Sequence, residues 1–202
     1  MEKTLKLTTY IKTQFVYETA DLKKKLDHTL NLDSEQDKIL KFLNSDEVLN
    51  NSDSSFYIYG GIQMFYRGEE ILDDSYEGLV DVMWSNFLHI LEVFLVCGKY
   101  HDCDSPYVGK EIKLDFDENG KVSLLIKNGP FPFEKVGFNP LVAEEQKMIL
   151  DKDLFFDTVL NEAEIFFSFL LKTNIKQVNY NLQLEQIKLI RKLLLNGYLP
   201  TL

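Results

Sequence analysis

The sequence predicts an α+β fold, in which a mainly antiparallel sheet carries two long helices packed on one face, with additional short helices. Three observations favour this class. Short alternating segments, such as EIKLDF and KVSLLI around a polar turn, are typical of β-hairpins. Two apolar stretches, about residues 77–97 and 153–172, repeat bulky side chains at helical spacing. Strands and helices also come in runs without regular β–α–β alternation, which favours antiparallel pairing.

The length of 202 residues fits a single domain, and the hydrophobic content of 45% supplies its core without disulfide staples. The stretch NSDEVLNNSDSS, residues 44–55, is the most loop-like part of the chain. It divides the sequence into a possible N-terminal helical appendage, residues 1–50, and a main α+β body, residues 51–202.

The appendage contains three candidate elements. Residues 4–17 alternate as an extended segment, and Leu5 and Leu7 lie on one face. Residues 20–30 repeat leucine every fourth position, which predicts an amphipathic helix. Ser34, followed by Asp37, predicts the start of another short helix.

From residue 56 the pattern becomes that of a strand. FYIYGGIQMFY predicts either two short strands around Gly60 and Gly61 or one strand bulged at these glycines. Arg67 and Gly68 predict the next turn. A helix is predicted at about 77–97. Its N-terminus can be capped by Asp73, Asp74 or Ser75, and its C-cap is Gly98.

Both long helices have a clear apolar face. In the first, the residues expected to be buried are Trp84, Phe87, Leu88, Leu91 and Leu95, opposite a stripe of Asp81, Ser85, His89 and Glu92. In the second, they are Phe155, Phe156, Val159, Leu160, Ala163, Phe166, Phe167 and Leu170. A last helix is predicted at about 183–195, before Asn196-Gly197.

The charge balance restricts the partners. Asp and Glu outnumber Lys and Arg by 32 to 22, for a net charge of −10, which disfavours nucleic acid and anionic membrane surfaces and favours a basic protein. The N-terminal MEKTLKLTTYIKTQF lacks the apolar segment of a secretory signal, so we expect a cytoplasmic protein. The longest uncharged apolar run, Val82 to Leu91, is about half the length that spans a bilayer.

Two segments have residues that could bind a metal ion. Asp115 to Gly120 match the beginning of an EF-hand loop, but Ile126 occupies the position of the bidentate carboxylate, and an Asn-Gly hairpin turn explains the segment without calcium. Cys97, His101 and Cys103 could supply three zinc ligands. The alternative is a buried thiol at a helix end followed by a polar loop, and we expect no metal or other cofactor here.

The sequence contains no catalytic signature, and we expect no enzymatic activity. It has neither a nucleophile elbow nor a phosphate-binding loop, since no Gly-Lys-Ser/Thr follows Gly60 and Gly61. His89 could act as a general base, although a lone histidine in a polar helical stripe is usually solvated. An enzymatic or ligand-binding pocket near His89, His101 and Cys103 is kept as an alternative.

Negative charge is concentrated just before the tryptophan-containing helix. Six acidic residues with no basic residue among them lie between positions 69 and 81, namely Glu69, Glu70, Asp73, Asp74, Glu77 and Asp81. Tyr66 and Tyr76 lie beside them. Acidic groups with tyrosines are typical of a surface that recognises a basic protein. Carboxylates at a helix N-terminus also favour the helix dipole, which is the competing explanation.

Residues 56–100 resemble a segment of small Gram-positive bacterial proteins, in which a strand, an acidic loop and a Trp-bearing helix follow one another. The matching residues are Gly61, Tyr66, Gly68, Ile71, Leu72, Trp84, Leu88 and Leu91. Several such families resemble the immunity proteins of polymorphic toxins, which bind and neutralise a toxin. The resemblance implies a non-catalytic protein that binds a basic partner, such as a toxin, through Glu69, Glu70, Asp73, Asp74, Tyr66 and Tyr76. A structural domain that oligomerises through the Phe166 face is a further alternative.

Overall fold

The computed structural model describes residues 4–13, 29–46, 48, 58–72, 77–101, 110–128, 146–175 and 179–196. Within these ranges the chain forms nine β-strands and four α-helices. All strand pairs are antiparallel, so the predicted α+β class is confirmed. The strands divide between two sheets, where a single sheet was expected. Among the described strands, no pairing joins those before residue 80 to those that follow residue 98.

The first sheet is built around two central strands, β1 (Leu5–Lys12) and β3 (Tyr59–Tyr66). On one side, β2 (Thr29–Asn31) pairs with β1. On the other side, β3 pairs with two short strands at its opposite ends, β4 (Glu69–Leu72) and β5 (Glu77–Leu79). β4 therefore lies at an edge of this sheet, and no described strand pairs with its outer side.

The second sheet is a four-stranded meander. Its strands follow one another in chain order as β6 (Lys99–His101), β7 (Lys110–Phe116), β8 (Val122–Asn128) and β9 (Gln146–Leu150). The predicted hairpin is confirmed, and its apolar residues lie opposite one another: Ile112 with Ile126, Leu114 with Leu124, and Phe116 with Val122. The turn between them contains Gly120 at a φ of 72°.

The helices are α1 (Gln36–Leu43), α2 (Val80–Cys97), α3 (Lys152–Leu170) and α4 (Asn181–Leu195). α2 packs against β3 and β6, so it contacts both sheets, and α3 packs against β1. α4 lies on α2 and α3. The predicted buried faces of the two long helices are confirmed residue by residue, and Gly98 ends α2 in the left-handed conformation.

The core joins both sheets to the two long helices. The Trp84 indole N–H donates a hydrogen bond of 3.1 Å to the Thr9 hydroxyl, which connects α2 to β1. Further along α2, the Phe94 ring stacks on Phe116 of β7 and on Phe156 of α3, at centroid distances of 4.4 and 6.1 Å. Because these aromatic contacts cross element boundaries, the two sheets share a single apolar core.

The two glycines of β3 lie inside one continuous strand, so the single-strand alternative is the right one. The irregularity of this strand lies between Met64 and Phe65, opposite β4, and not at the glycines. Gly60 has a different role. A Cβ atom at this position would lie 2.1 Å from the carbonyl oxygen of Tyr10, so only glycine permits the close approach of β1 and β3.

Several predicted boundaries are wrong. α2 begins at Val80 and not at 77, because residues 77–79 pair with β3. The backbone N–H of Val80 donates a hydrogen bond to the Ile58 carbonyl. The helix predicted for residues 20–30 cannot extend to residue 30, since β2 begins at Thr29. The rest of that helix, most of the loop at 44–55 and the proposed caps Asp73, Asp74 and Ser75 lie outside the described residues.

Candidate functional site

Within the acidic group at positions 69–81, the exposed residues that the structure describes lie on a β-hairpin, which we call the acidic hairpin. It consists of β3, the turn Arg67–Gly68 and β4. Both turn residues have positive φ, 55° for Arg67 and 84° for Gly68, as a two-residue turn of type I′ requires. Glu69 and Glu70 follow at once, so the turn fixes their position at the end of the hairpin.

Glu69 and Glu70 are both exposed, at the outer edge of the first sheet. Glu70 accepts a hydrogen bond of 3.3 Å from the side-chain amide of Gln63 on the neighbouring strand. Neither carboxylate forms an ion pair with any residue that the structure describes. These two negative charges are therefore available to a group outside the described part of the chain.

Tyr66 connects the acidic hairpin to the second sheet. The ring is half-buried, and its hydroxyl donates a hydrogen bond of 3.4 Å to the Ile149 carbonyl of β9. The Arg67 guanidinium lies over the ring at 4.9 Å from its centroid, a cation–π contact that holds the arginine beside its own sheet. Tyr66 was expected among the partner-binding residues; the structure shows it as a link between the two sheets.

The other predicted site residues have different positions. Asp73, Asp74 and Tyr76 lie outside the described residues, between β4 and β5. Asp81 was expected in the same acidic group, and this is wrong, because it lies half-buried between α2 and α4 and accepts a hydrogen bond of 3.4 Å from the Tyr180 hydroxyl. Burial raises the pKa of Asp81 above its ordinary value, and the same hydrogen bond opposes that rise.

The competing explanation for the acidic residues is that they stabilise the dipole of α2. A helix dipole stabilises carboxylates within the first turn of the helix. Glu69 and Glu70 lie in β4, and β5 separates that strand from the beginning of α2 at Val80. Among the described acidic residues of the group, only Asp81 lies in the first turn of α2. The dipole therefore does not explain the exposed pair.

Of the three candidate metal ligands, the structure describes the side chain of Cys97 alone. Cys97 was expected to be a buried thiol, and this is wrong, since it is exposed at the last residue of α2. The His101 side chain and Cys103 lie outside the description. Among the described residues, no group of three or more Cys, His, Asp or Glu side chains is placed to hold a metal ion.

The structure also describes the turn at Asp117, which was considered for calcium, and His89, which was considered as a general base. The turn at Asp117 uses its own carboxylate, which accepts hydrogen bonds from the backbone N–H groups of Asn119 and Lys121 at 2.9 and 2.7 Å. These hydrogen bonds, that from Lys121 above all, lower the pKa of Asp117 below its ordinary value. His89 is exposed on α2, as expected for a solvated histidine.

A half-buried carboxylate, Glu162, was not singled out from the sequence. It lies on α3, on the side near Lys6 of β1 and Asp33 after β2. Its pKa is raised to about 7, mainly by burial; the nearby charge of Asp33 also raises it, and Lys6 opposes the rise. The only signal in the sequence is a glutamate next to the buried positions of an apolar helix, which is too common to identify it.

We expect Glu162→Gln to raise the free energy of unfolding by about 1–2 kcal/mol at about pH 8 and to leave it nearly unchanged at about pH 4. The folded state binds this proton more tightly than the unfolded state, whose pKa is near 4.5, so stability falls as pH rises from 4.5 through about 7. Urea unfolding over this pH range measures the effect. Asp157→Asn, on the exposed side of α3, is the control; equal pH profiles for both variants would contradict the assignment.

No protein-family model, curated protein or solved structure matches the chain. One described helix, α2, is long and apolar enough to cross a membrane by length and composition. Half of that span is buried inside the protein, where its apolar side chains form the core, as expected for a core helix.

Proposed function

We propose that this protein is a non-catalytic binding protein that covers a basic surface of another protein with its acidic hairpin, in the manner of an immunity protein that neutralises a toxin. The observation that carries the proposal is the position of Glu69 and Glu70. They are adjacent, exposed and without an ion pair among the described residues, at an open strand edge away from the helix N-terminus.

Electrostatics supports a cationic partner. The chain has a net charge of −10, so its long-range field attracts a basic protein and speeds the encounter. The hairpin concentrates two of these charges on a rigid support, because Tyr66 fixes β3 to β9 and Gln63 holds Glu70. A preorganised pair of carboxylates loses little conformational entropy when lysine or arginine binds.

The open edge of β4 adds a second mode of contact. Its outer backbone groups pair with no described strand, and an exposed edge of this kind can accept an extended segment of a partner through main-chain hydrogen bonds. Acidic side chains on an edge strand also discourage pairing between like copies. Together, these features favour a basic strand over a second copy of the hairpin.

The function is tested by affinity capture from the native cell, with the full chain as bait. We expect the wild-type chain to retain a cationic protein at about 0.1 M salt and to release it as the salt is raised. Glu69→Lys with Glu70→Lys should lose this protein, because each reversal turns an attraction into a repulsion.

The matched control carries Glu118→Lys and Asp157→Lys, two exposed positions outside the acidic hairpin. Each reversal changes the charge by two, so both double variants go from −10 to about −6. The control should still retain the protein that the wild type captures. If both double variants lose it equally, the net charge and not the hairpin is responsible, and the proposal fails.

A further inference from the structure

The outward face of α4 exposes large apolar side chains. Leu182 and Leu189, seven residues apart and therefore on one side of the helix, are 67% and 46% exposed, while Ile187 and Ile190 occupy the buried face. A helix that lies on the surface of a domain normally has polar residues on its outer face. Single exposed leucines are common, but two on one side of a helix of 15 residues suggest a contact surface.

This face also has an ordered pattern of charge. Leu182, Glu185, Leu189 and Lys192 follow one another at spacings of three and four, so they form one stripe along the helix. The acidic residue lies in the N-terminal half of the stripe and the basic residue in the C-terminal half. Lys192 forms no ion pair with a described residue, and the pair of Glu185 with Lys188 is largely exposed to solvent.

We propose that a second copy of this chain docks on α4, with the two helices antiparallel and a two-fold axis near Leu189. In this arrangement Glu185 of each copy faces Lys192 of the other, and the Leu189 side chains meet at the crossing point. A two-fold axis makes the same contact twice, which a self-complementary stripe requires. A parallel arrangement would place like charges opposite each other and is therefore disfavoured.

The size of the face sets the strength of the dimer. A helix of 15 residues is about 22 Å long, so its contact surface is at the low end for a specific interface. The net charge of each copy also opposes association at low salt. We expect a dimer that forms at concentrations on the order of 10–100 µM in about 0.2 M salt.

Sedimentation velocity of the full chain, from about 5 to 500 µM, tests this proposal through the charge pair. Glu185→Lys and Lys192→Glu should each weaken the dimer about tenfold, because they place like charges opposite each other. The double variant, Glu185→Lys with Lys192→Glu, should restore the affinity to within about threefold of the wild type. A wild-type chain that stays monomeric throughout would overturn the proposal, as would a double variant that does not recover.

Leu189→Glu tests the crossing point, and its matched control is Leu171→Glu. Leu171 has a similar exposed fraction, 43%, but lies just after the end of α3. We expect the first variant to remain monomeric and the second to dimerise like the wild type, with thermal unfolding showing that both are folded. Equal loss in both variants, or dimerisation of Leu189→Glu, would overturn the proposal.

Discussion

Gly60→Ala is expected to lower the free energy of unfolding by about 3 kcal/mol or more, a large effect for a single added methyl group. The new Cβ atom would lie 2.1 Å from the Tyr10 carbonyl oxygen and 3.1 Å from the Ile11 Cα. Both atoms belong to the backbone of β1, which cannot rotate away as a side chain can. The two central strands of the first sheet must therefore separate, and urea unfolding measures the cost.

Gly120→Ala is the control for this substitution. Gly120 has a φ of 72°, and a Cβ atom there would meet nothing within 4 Å. Its replacement therefore costs only the strain of a left-handed alanine, about 1 kcal/mol. If Gly60→Ala were no more destabilising than Gly120→Ala, the claim that β1 and β3 approach too closely for a side chain at position 60 would be contradicted.

Phe94→Ala is expected to destabilise the protein by about 3–5 kcal/mol. The Phe94 ring stacks on Phe116 of the second sheet and on Phe156 of α3, so its removal leaves a cavity where three elements meet. Because the sheets share this core, denaturant unfolding should remain a single transition that is shifted as a whole, both by circular dichroism and by the fluorescence of Trp84.

Val96→Ala provides the comparison on the same helix. Val96 is 56% exposed, so its truncation should change the stability by less than about 0.5 kcal/mol. Two separate transitions, or a cost for Phe94→Ala close to that for Val96→Ala, would show that the second sheet folds on another core.

The elements that could be predicted are those with a long local pattern. Both long helices and the hairpin of β7 and β8 repeat apolar residues over enough positions to define their own buried face. The three-residue strands β2, β5 and β6 have no such pattern, because they are strands only through their partners. The pairing of β5 also overrides the capping signals that placed the beginning of α2 too early.

The candidate site could be predicted only in part. Glu69 and Glu70 follow a two-residue turn, so their exposure at a hairpin end can be predicted from nearby residues. The position of Asp81 depends on Tyr180, 99 residues away, and a pattern of charge cannot separate it from the exposed group. Phe166, on the face considered as an alternative oligomerisation surface, is fully buried inside its own chain.

The association kinetics of the captured partner test the central claim most directly. We expect the association rate constant of the wild-type chain to fall steeply as salt is raised from about 0.05 to 0.5 M. The variant with both Glu69→Lys and Glu70→Lys should associate about tenfold more slowly at low salt, with a flatter dependence on salt. An unchanged rate constant and an unchanged salt dependence in that variant would contradict a binding role for the acidic hairpin.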